Sequence, residues 1–171
     1  MKIAVIGHSG SGKSTLAKFL GKLYNIDVLH LDSVHWLPGW NERSAVEKNV
    51  IVTDFMNSHS SWVIDGNYFK QCYERRLSEA DVIVFLNFNR FNCLCRAFRR
   101  FLRYRGSTRE DMGKGCNEKM DFKFIRWILW EGRTSERYNK MFGAARRYSD
   151  KFIEIRNQKQ LDAYKSKLKG E

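Results

Sequence analysis

The stretch Gly7-His8-Ser9-Gly10-Ser11-Gly12-Lys13-Ser14 fits the pattern G-x-x-x-x-G-K-[ST] in full. Its glycines let the backbone curl so that successive N–H groups converge on one anion, and a following helix adds the positive end of its dipole. In such a loop Lys13 reaches the β- and γ-phosphates of a nucleotide, and the Ser14 hydroxyl completes a Mg²⁺ shell. The flanks supply the context this pattern requires. Ahead of it, Lys2-Ile3-Ala4-Val5-Ile6 is a short apolar run, the signature of a buried parallel strand. Behind it, Leu16, Phe19, Leu20 and Leu23 recur at helical spacing, with Lys18 and Lys22 turned outward.

Working outward, Asp27 to Leu31 reads as a second strand stopped by Asp32, and Trp62-Val63-Ile64 as a third, ending in Asp65-Gly66. Val82 to Leu86 is a fourth and Phe152 to Ile155 a fifth. Helices are predicted over 45–58, 68–78, 91–104, 120–131, 134–149 and 158–168, with a polar stretch at 106–118. Strands alternating with helices imply right-handed crossovers, hence an α/β fold: a five-stranded parallel sheet with helices on both faces. No linker, repeat or low-complexity tract divides residues 1–171, so one domain is expected. Open parallel sheets bind ligands beyond the carboxyl ends of their strands. Asp32 and Asp65, at two strand ends, therefore point toward the phosphate site. One would act on Mg²⁺ through water, and the other would accept a proton from a substrate hydroxyl. The competing reading makes each a helix cap or turn residue.

Composition sets outer limits. The chain has 171 residues, 31 Lys plus Arg against 19 Asp plus Glu, and a net charge of +12. At 43% hydrophobic it can build a core, so the charge does not signal disorder. Charges interrupt every apolar run long before about 18 residues, which excludes a membrane span, and the N-terminus lacks a secretory h-region. Cys72, Cys93, Cys95 and Cys116 are too few and too irregular for a disulfide framework, so reduced thiols in a cytoplasmic protein are expected. The first 90 residues are nearly neutral, and residues 91–171 supply +11. Between 90 and 109 stand seven arginines with no lysine and no acid until Glu110. Guanidinium forks match phosphate bidentately. On a helical wheel Arg96, Arg99, Arg100 and Arg103 share one arc, while Phe91, Leu94, Phe98, Phe101 and Leu102 share the nearly opposite one, expected to face the core. Like charges so placed repel, and no acid nearby in sequence relieves them, so an external anion is expected. The flexible segment after that helix, with Arg105 and Arg109, suggests a lid closing over polyphosphate.

With these residues in view, the chain resembles the adenylate-kinase-like P-loop kinases, and more narrowly the bacterial DNA topology modulation proteins. The resembling blocks are GHSGSGKST at 7–15, LDSVHWLPGW at 31–40, WVIDGNY at 62–68, RRLSEADVIVFL at 75–86 and RGSTREDMGKGCNE at 105–118. The resemblance implies the P-loop NTPase fold, with ATP held at Gly7, Ser9, Gly10, Ser11, Gly12, Lys13, Ser14 and Thr15. It implies an acceptor region over 32–60, a small lid over 105–120, and adenine beside Arg156 and Asn157. It also favours Asp65, with Ser14, for Mg²⁺, leaving Asp32 to position or deprotonate the acceptor while Arg96 and Arg100 offset charge.

A nucleoside monophosphate site would need arginines between about 33 and 90, where only Arg43, Arg75, Arg76 and Arg90 stand. Arg75 or Arg76 fits that role better than Arg43. Trp36 and Trp40 are candidates to stack on a base or sugar, whereas His8 reads as an ordinary loop residue, and His30 and His35, flanking Asp32, read as core or surface filling ahead of substrate binding. Cys93-x-Cys95 and Cys116 lack the spacing of a zinc lid, and 123–130 reads as a buried helix. The expected function is transfer of the ATP γ-phosphoryl to a small, nucleotide-like acceptor. The alternative is a nucleic-acid-binding protein with a regulatory or hydrolytic nucleotide site, supported by the basic second half.

Overall fold

The computed structural model of the chain describes residues 1–170. Among the described residues the strands are β1 (Lys2–Gly7), β2 (Asp27–His30), β3 (Trp36–Leu37), β4 (Asn41–Glu42), β5 (Trp62–Asp65), β6 (Val82–Leu86) and β7 (Phe152–Ile155). Five of them form a parallel sheet in the order β2-β5-β1-β6-β7, and β3 and β4 pair as a small antiparallel hairpin. The helices are α1 (Lys13–Tyr24), α2 (Leu31–His35), α3 (Ala45–Ser58), α4 (Tyr73–Glu79), α5 (Arg90–Tyr104), α6 (Phe122–Leu129), α7 (Ser135–Arg147) and α8 (Gln158–Lys169). None is long and apolar enough to cross a membrane.

Both faces of the sheet are covered, and the alternation along β1 shows how. Ala4 and Ile6 join Ile64, Ile83 and Phe85 against Val52, Met56, Leu77 and Met141 of α3, α4 and α7. Ile3 and Val5 join Val63, Val84 and Leu86 against Leu16, Leu20, Cys93, Ala97 and Leu161 of α1, α5 and α8. A strand buried on two sides carries apolar residues in both registers. Parallel pairing sets His30 beside Asp65 and Asp65 beside Val5, so the carboxyl ends of β2, β5 and β1 open together onto one edge.

Local departures from the periodicity have identifiable causes. β2 ends at His30, and Leu31–His35 turns helical because Leu31 and Val34 both bury while Ser33 Oγ donates to the His30 carbonyl. Asp32 therefore lies in the first turn of α2, not on the strand. The helix expected over 68–78 starts only at Tyr73, because Cys72 takes a left-handed conformation (φ 47°). The irregular loop before it is held by Arg76, whose side chain is fully buried and donates to the carbonyls of Gln71, Gly66 and Tyr68.

The largest correction concerns α5. Its Phe91, Phe98 and Leu102 are 65%, 50% and 58% exposed, and its buried residues are Cys93 and Ala97. Small residues are required there because the helix backbone meets the phosphate loop. A Cβ at Gly10, which has φ +78°, would lie 2.3 Å from the Cys93 carbonyl oxygen. α5 thus docks along the boundary between its two arcs, with arginines toward the loop and much of the aromatic stripe toward solvent. α6 is likewise half open: Ile128 is buried, but Phe122 and Trp130 are exposed.

Arg76→Met removes three donors from carbonyls in the buried loop, each loss costing about 1 kcal/mol or more. Urea unfolding is expected to show a loss on the order of 3 kcal/mol; a change below about 0.5 kcal/mol would refute the bracing role.

Candidate functional site

The turn after β1 lines a cleft in front of α1 with Gly7, Ser9, Gly10, Gly12, Lys13 and Ser14. Lys13 is half-buried there and donates to the His8 carbonyl at 3.0 Å. Burial lowers the Lys13 pKa, against the raising influence of Asp32 and Asp65. The Ser14 hydroxyl donates to Asp65 Oδ2 at 2.9 Å, and His30 Nδ1 lies 2.5 Å from Asp65 Oδ1. Burial opposes protonation of His30, yet the hydrogen bond and charge of Asp65 raise its pKa overall. A hydroxyl and a carboxylate side by side at the lysine end of the loop are oxygen donors of the kind Mg²⁺ takes. The residues present fit a Mg²⁺–nucleotide site, with Ser14 and Asp65 as the groups that would serve the ion.

Asp32 lies on the same opening edge. Its Oδ1 accepts from the Tyr68 hydroxyl at 2.6 Å, and burial beside Asp32 pushes the Tyr68 pKa well above its usual value. Tyr68 is thereby a constant donor that orients the carboxylate. Sequence reasoning placed Asp32 here but missed Tyr68, whose position depends on the loop braced by Arg76.

The arginine face of α5 lines the same cleft, at Arg96, Arg99, Arg100 and Arg103. Arg96 Nη1 donates to the Ser11 carbonyl at 2.6 Å, stacks 4.4 Å from the Phe88 ring, and also bonds Gln158. Arg100 is relieved by an acid after all: Glu118 takes it at 2.8 Å and Arg109 at 2.6 Å, while Arg109 also bonds Asp111. Eighteen residues separate Arg100 from Glu118, so the pairing is invisible to any local reading. Burial, then the nearby Arg109, lowers the Arg100 pKa.

Residues 105–120 fold across the cleft onto the hairpin. Gly39 N donates to the Gly115 carbonyl, Trp40 Nε1 to that of Asn117, and Cys116 Sγ to that of Leu37. The approach is so close that a Cβ at Gly113 would meet the Trp36 carbonyl oxygen at 1.9 Å. Lys18 ties the other end to α1 through Glu110 and Asp111. The cleft so enclosed has a volume of about 1360 Å³, beyond the roughly 300–1,000 Å³ typical for one small ligand, and leaves room for two.

Of the expected site residues, Gly7, Ser9, Gly10, Gly12, Lys13, Ser14, Thr15, Asp32, Arg96 and Arg100 line this cleft. Ser11 is buried beneath it, and Asp65 reaches it through Ser14. Arg156 and Asn157 are not brought to its wall: Arg156 is exposed and paired with Glu154, and Asn157 caps α8. Arg75 and Arg76 are no phosphate ligands, being engaged by Glu79 and Asn57, and by backbone carbonyls, respectively. Trp127 and Arg137 were missed. The Trp127 indole donates to Ser9 Oγ at 3.1 Å, and the Arg137 guanidinium stacks 4.6 Å from that ring.

No family model matches the chain, and no curated protein matches it. Solved structures do. Shikimate kinase from Acinetobacter baumannii, in complex with shikimate, is similar at TM-score 0.59 and 15% identity, over 98% of this chain and 90% of its own. An uncharacterized protein from Eubacterium ventriosum ATCC 27560 is similar at TM-score 0.55 and 21% identity, over 99% and 97%. Deoxyadenosine kinase from M. mycoides with bound dATP is similar at TM-score 0.50 and 13% identity, over 99% and 100%. At these identities the likeness establishes the fold: the chain has the architecture of the P-loop kinases.

His8 is the loop residue with a titration of its own. It is 4% exposed, packed 5.3 Å from the Tyr138 ring, with Asn87 and the Gly132 backbone near it but outside hydrogen-bond geometry. Burial first, then the charges of Arg133 and Lys13, lower its pKa from 6.5 to about 3. The unfolded chain takes up this proton below pH 6.5 and the folded chain does not. Stability from a neutral His8 is therefore full above pH 6.5 and falls as pH drops toward 3, by at most about 1.4 kcal/mol per unit. Urea unfolding at pH 7, 5 and 4 is expected to show a shallower loss for His8→Gln than for wild type; equal slopes would rule the effect out.

Proposed function

We propose that the protein is an ATP-dependent phosphotransferase acting on a small acceptor. The observation that carries this reading is the convergence, in one cleft, of Lys13, the Ser14–Asp65 pair and the Tyr68-oriented Asp32. Lys13 and the loop amides hold the β- and γ-phosphates. Ser14 and Asp65 serve Mg²⁺, which supplies charge neutralisation when bound. Asp32 accepts the proton of the acceptor hydroxyl as that oxygen forms its bond to the γ-phosphorus and the bond to the ADP oxygen breaks. Arg96 and Arg100, on the α5 wall beside the loop, offset charge on the transferring group. The lid segment excludes water while this happens.

Five of the seven arginines at 90–109 line this cleft, so much of the charge in that stretch is accounted for by a polyphosphate site. The blocks at 31–40 and 62–68 support a narrower membership, among the bacterial DNA topology modulation proteins. That label names an effect on DNA and leaves the reaction to be set by the site.

ADP release is expected to rise with a suitable acceptor in wild type. It is expected to fall at least 100-fold in Lys13→Ala and in Asp32→Asn, with ATP binding weakened in the first and kept in the second. Asp32→Asn with undiminished acceptor-dependent turnover would remove Asp32 from the mechanism.

A further inference from the structure

The acceptor half of the cleft is built from different chemistry than the half around the phosphate loop. Its wall is aromatic. The His35 ring lies 4.6 Å from Trp36 and 4.5 Å from Tyr68, and Trp36 lies 5.5 Å from Trp40. Faces of this kind hold the C–H surface of a sugar or the plane of a base. The polar atoms set among them accept hydrogen bonds. Asp32 offers a carboxylate, and Gln71 and Asn67 line the cleft, their side-chain carbonyl oxygens buried just behind its surface and without a partner. Gln71 is 2% exposed. Leaving such a group unpaired costs about 1–3 kcal/mol, which an O–H or N–H on a ligand would recover.

The guanidiniums of Arg43, Arg76 and Arg109 on this side are already engaged. Recognition of a phosphate or carboxylate calls for a guanidinium free to chelate it. Arg43 Nε donates to the Val34 carbonyl at 2.9 Å, and Arg76 is consumed by three carbonyls. Lys48 is held by Glu42 at 2.6 Å, and Arg109 lies between Asp111 and Glu118. Lys70 stands at the rim, exposed. Arg99 and Arg103 pair with no carboxylate among the described residues and stand exposed on α5; Arg96 and Arg137, likewise unpaired, belong to the other half. One is bound to Ser11 and the other is stacked on the Trp127 that bonds Ser9.

Building on the phosphotransferase reading, we propose that the acceptor is a non-anionic cyclic alcohol: a hydroxyl-bearing ring of sugar or nucleoside size, carrying hydrogen-bond donors and neither phosphate nor carboxylate. Its ring lies against Trp36 and Tyr68, its reacting hydroxyl gives its proton to Asp32, and a neighbouring donor is received by Gln71. The γ-phosphoryl passes to the hydroxyl oxygen and ADP departs. The product is then a phosphomonoester dianion beside Arg43, Arg76 and Arg109, whose guanidiniums are already engaged, which promotes its release.

The test is ADP release by the full chain with ATP and Mg²⁺ over three acceptor sets: nucleosides, free cyclic polyols and sugars, and anionic counterparts (nucleoside 5′-monophosphates and ring hydroxy acids). A member of the first or second set is expected to raise turnover at least tenfold above hydrolysis, and which set responds identifies the source of the ring. Its anionic counterpart is expected to have a kcat/KM at least tenfold lower. Gln71→Leu is expected to raise the acceptor KM about tenfold, as loss of one hydrogen bond does. Should that variant not fold, the neutral-to-anionic ratio in wild type decides the matter. Preference for a monophosphate or hydroxy acid would overturn this inference and leave the phosphotransferase standing. No acceptor-dependent release in any set would overturn both.

Discussion

Backbone meets backbone where α5 crosses the phosphate loop. The space between Gly10 and the Cys93 carbonyl is too small for a single methyl group, and Cys93 and Ala97 are the side chains that let the helix settle there. Everything on the donor side of the cleft follows from that approach. With its rotation set by two small residues, α5 must present Arg96, Arg99, Arg100 and Arg103 to the loop. The same rotation turns Phe91, Phe98 and Leu102 outward, at the expense of apolar area left in water. A larger residue at Gly10, Cys93 or Ala97 would lift the helix and take Arg96 away from the loop.

Four arginines on one face need compensation, and the fold supplies it unevenly. Arg100 and Arg109 converge on Glu118, Arg109 also on Asp111, and Lys18 joins the same cluster from α1. Arg96 instead keeps to a carbonyl of the phosphate loop and the side chain of Gln158. The cleft therefore has a half whose positive charge is available to an anion and a half in which charge is internally matched. On the proposed function, this division separates the place of the polyphosphate from the place of the acceptor. The lid segment, bolted to the hairpin by Gly115, Cys116 and Asn117, spans both.

Much of the fold was legible because its determinants are local. The β1–loop–α1 unit follows from an apolar run, glycines at turning points and an amphipathic helix, and the five sheet strands each stood out as short apolar segments. Helix boundaries failed where a long-range contact intervened. α4 starts late because Arg76 draws the preceding carbonyls into an irregular loop, and α2 forms because Leu31 and Val34 find a core. The stripe on α5 misled because periodicity marks an amphipathic face without saying what lies opposite it. Glu118 and Tyr68 could not be found in advance, since nothing in their neighbourhoods signals a partner 18 or 36 residues away.

By itself, the sequence determined the strand–glycine loop–helix unit at residues 2–24 and the α/β scaffold around it, because apolar runs, glycines and helical spacing are written in consecutive residues. It also determined that Asp32 and Asp65 stand at or just beyond strand ends, since parallel strands deliver their carboxyl termini to one edge. The tertiary structure alone decided which arginines face the cleft, which are neutralised, and which loops close over it. Those outcomes depend on how closely helices can approach and on ion pairs between distant segments, and neither quantity is encoded in any one stretch of chain.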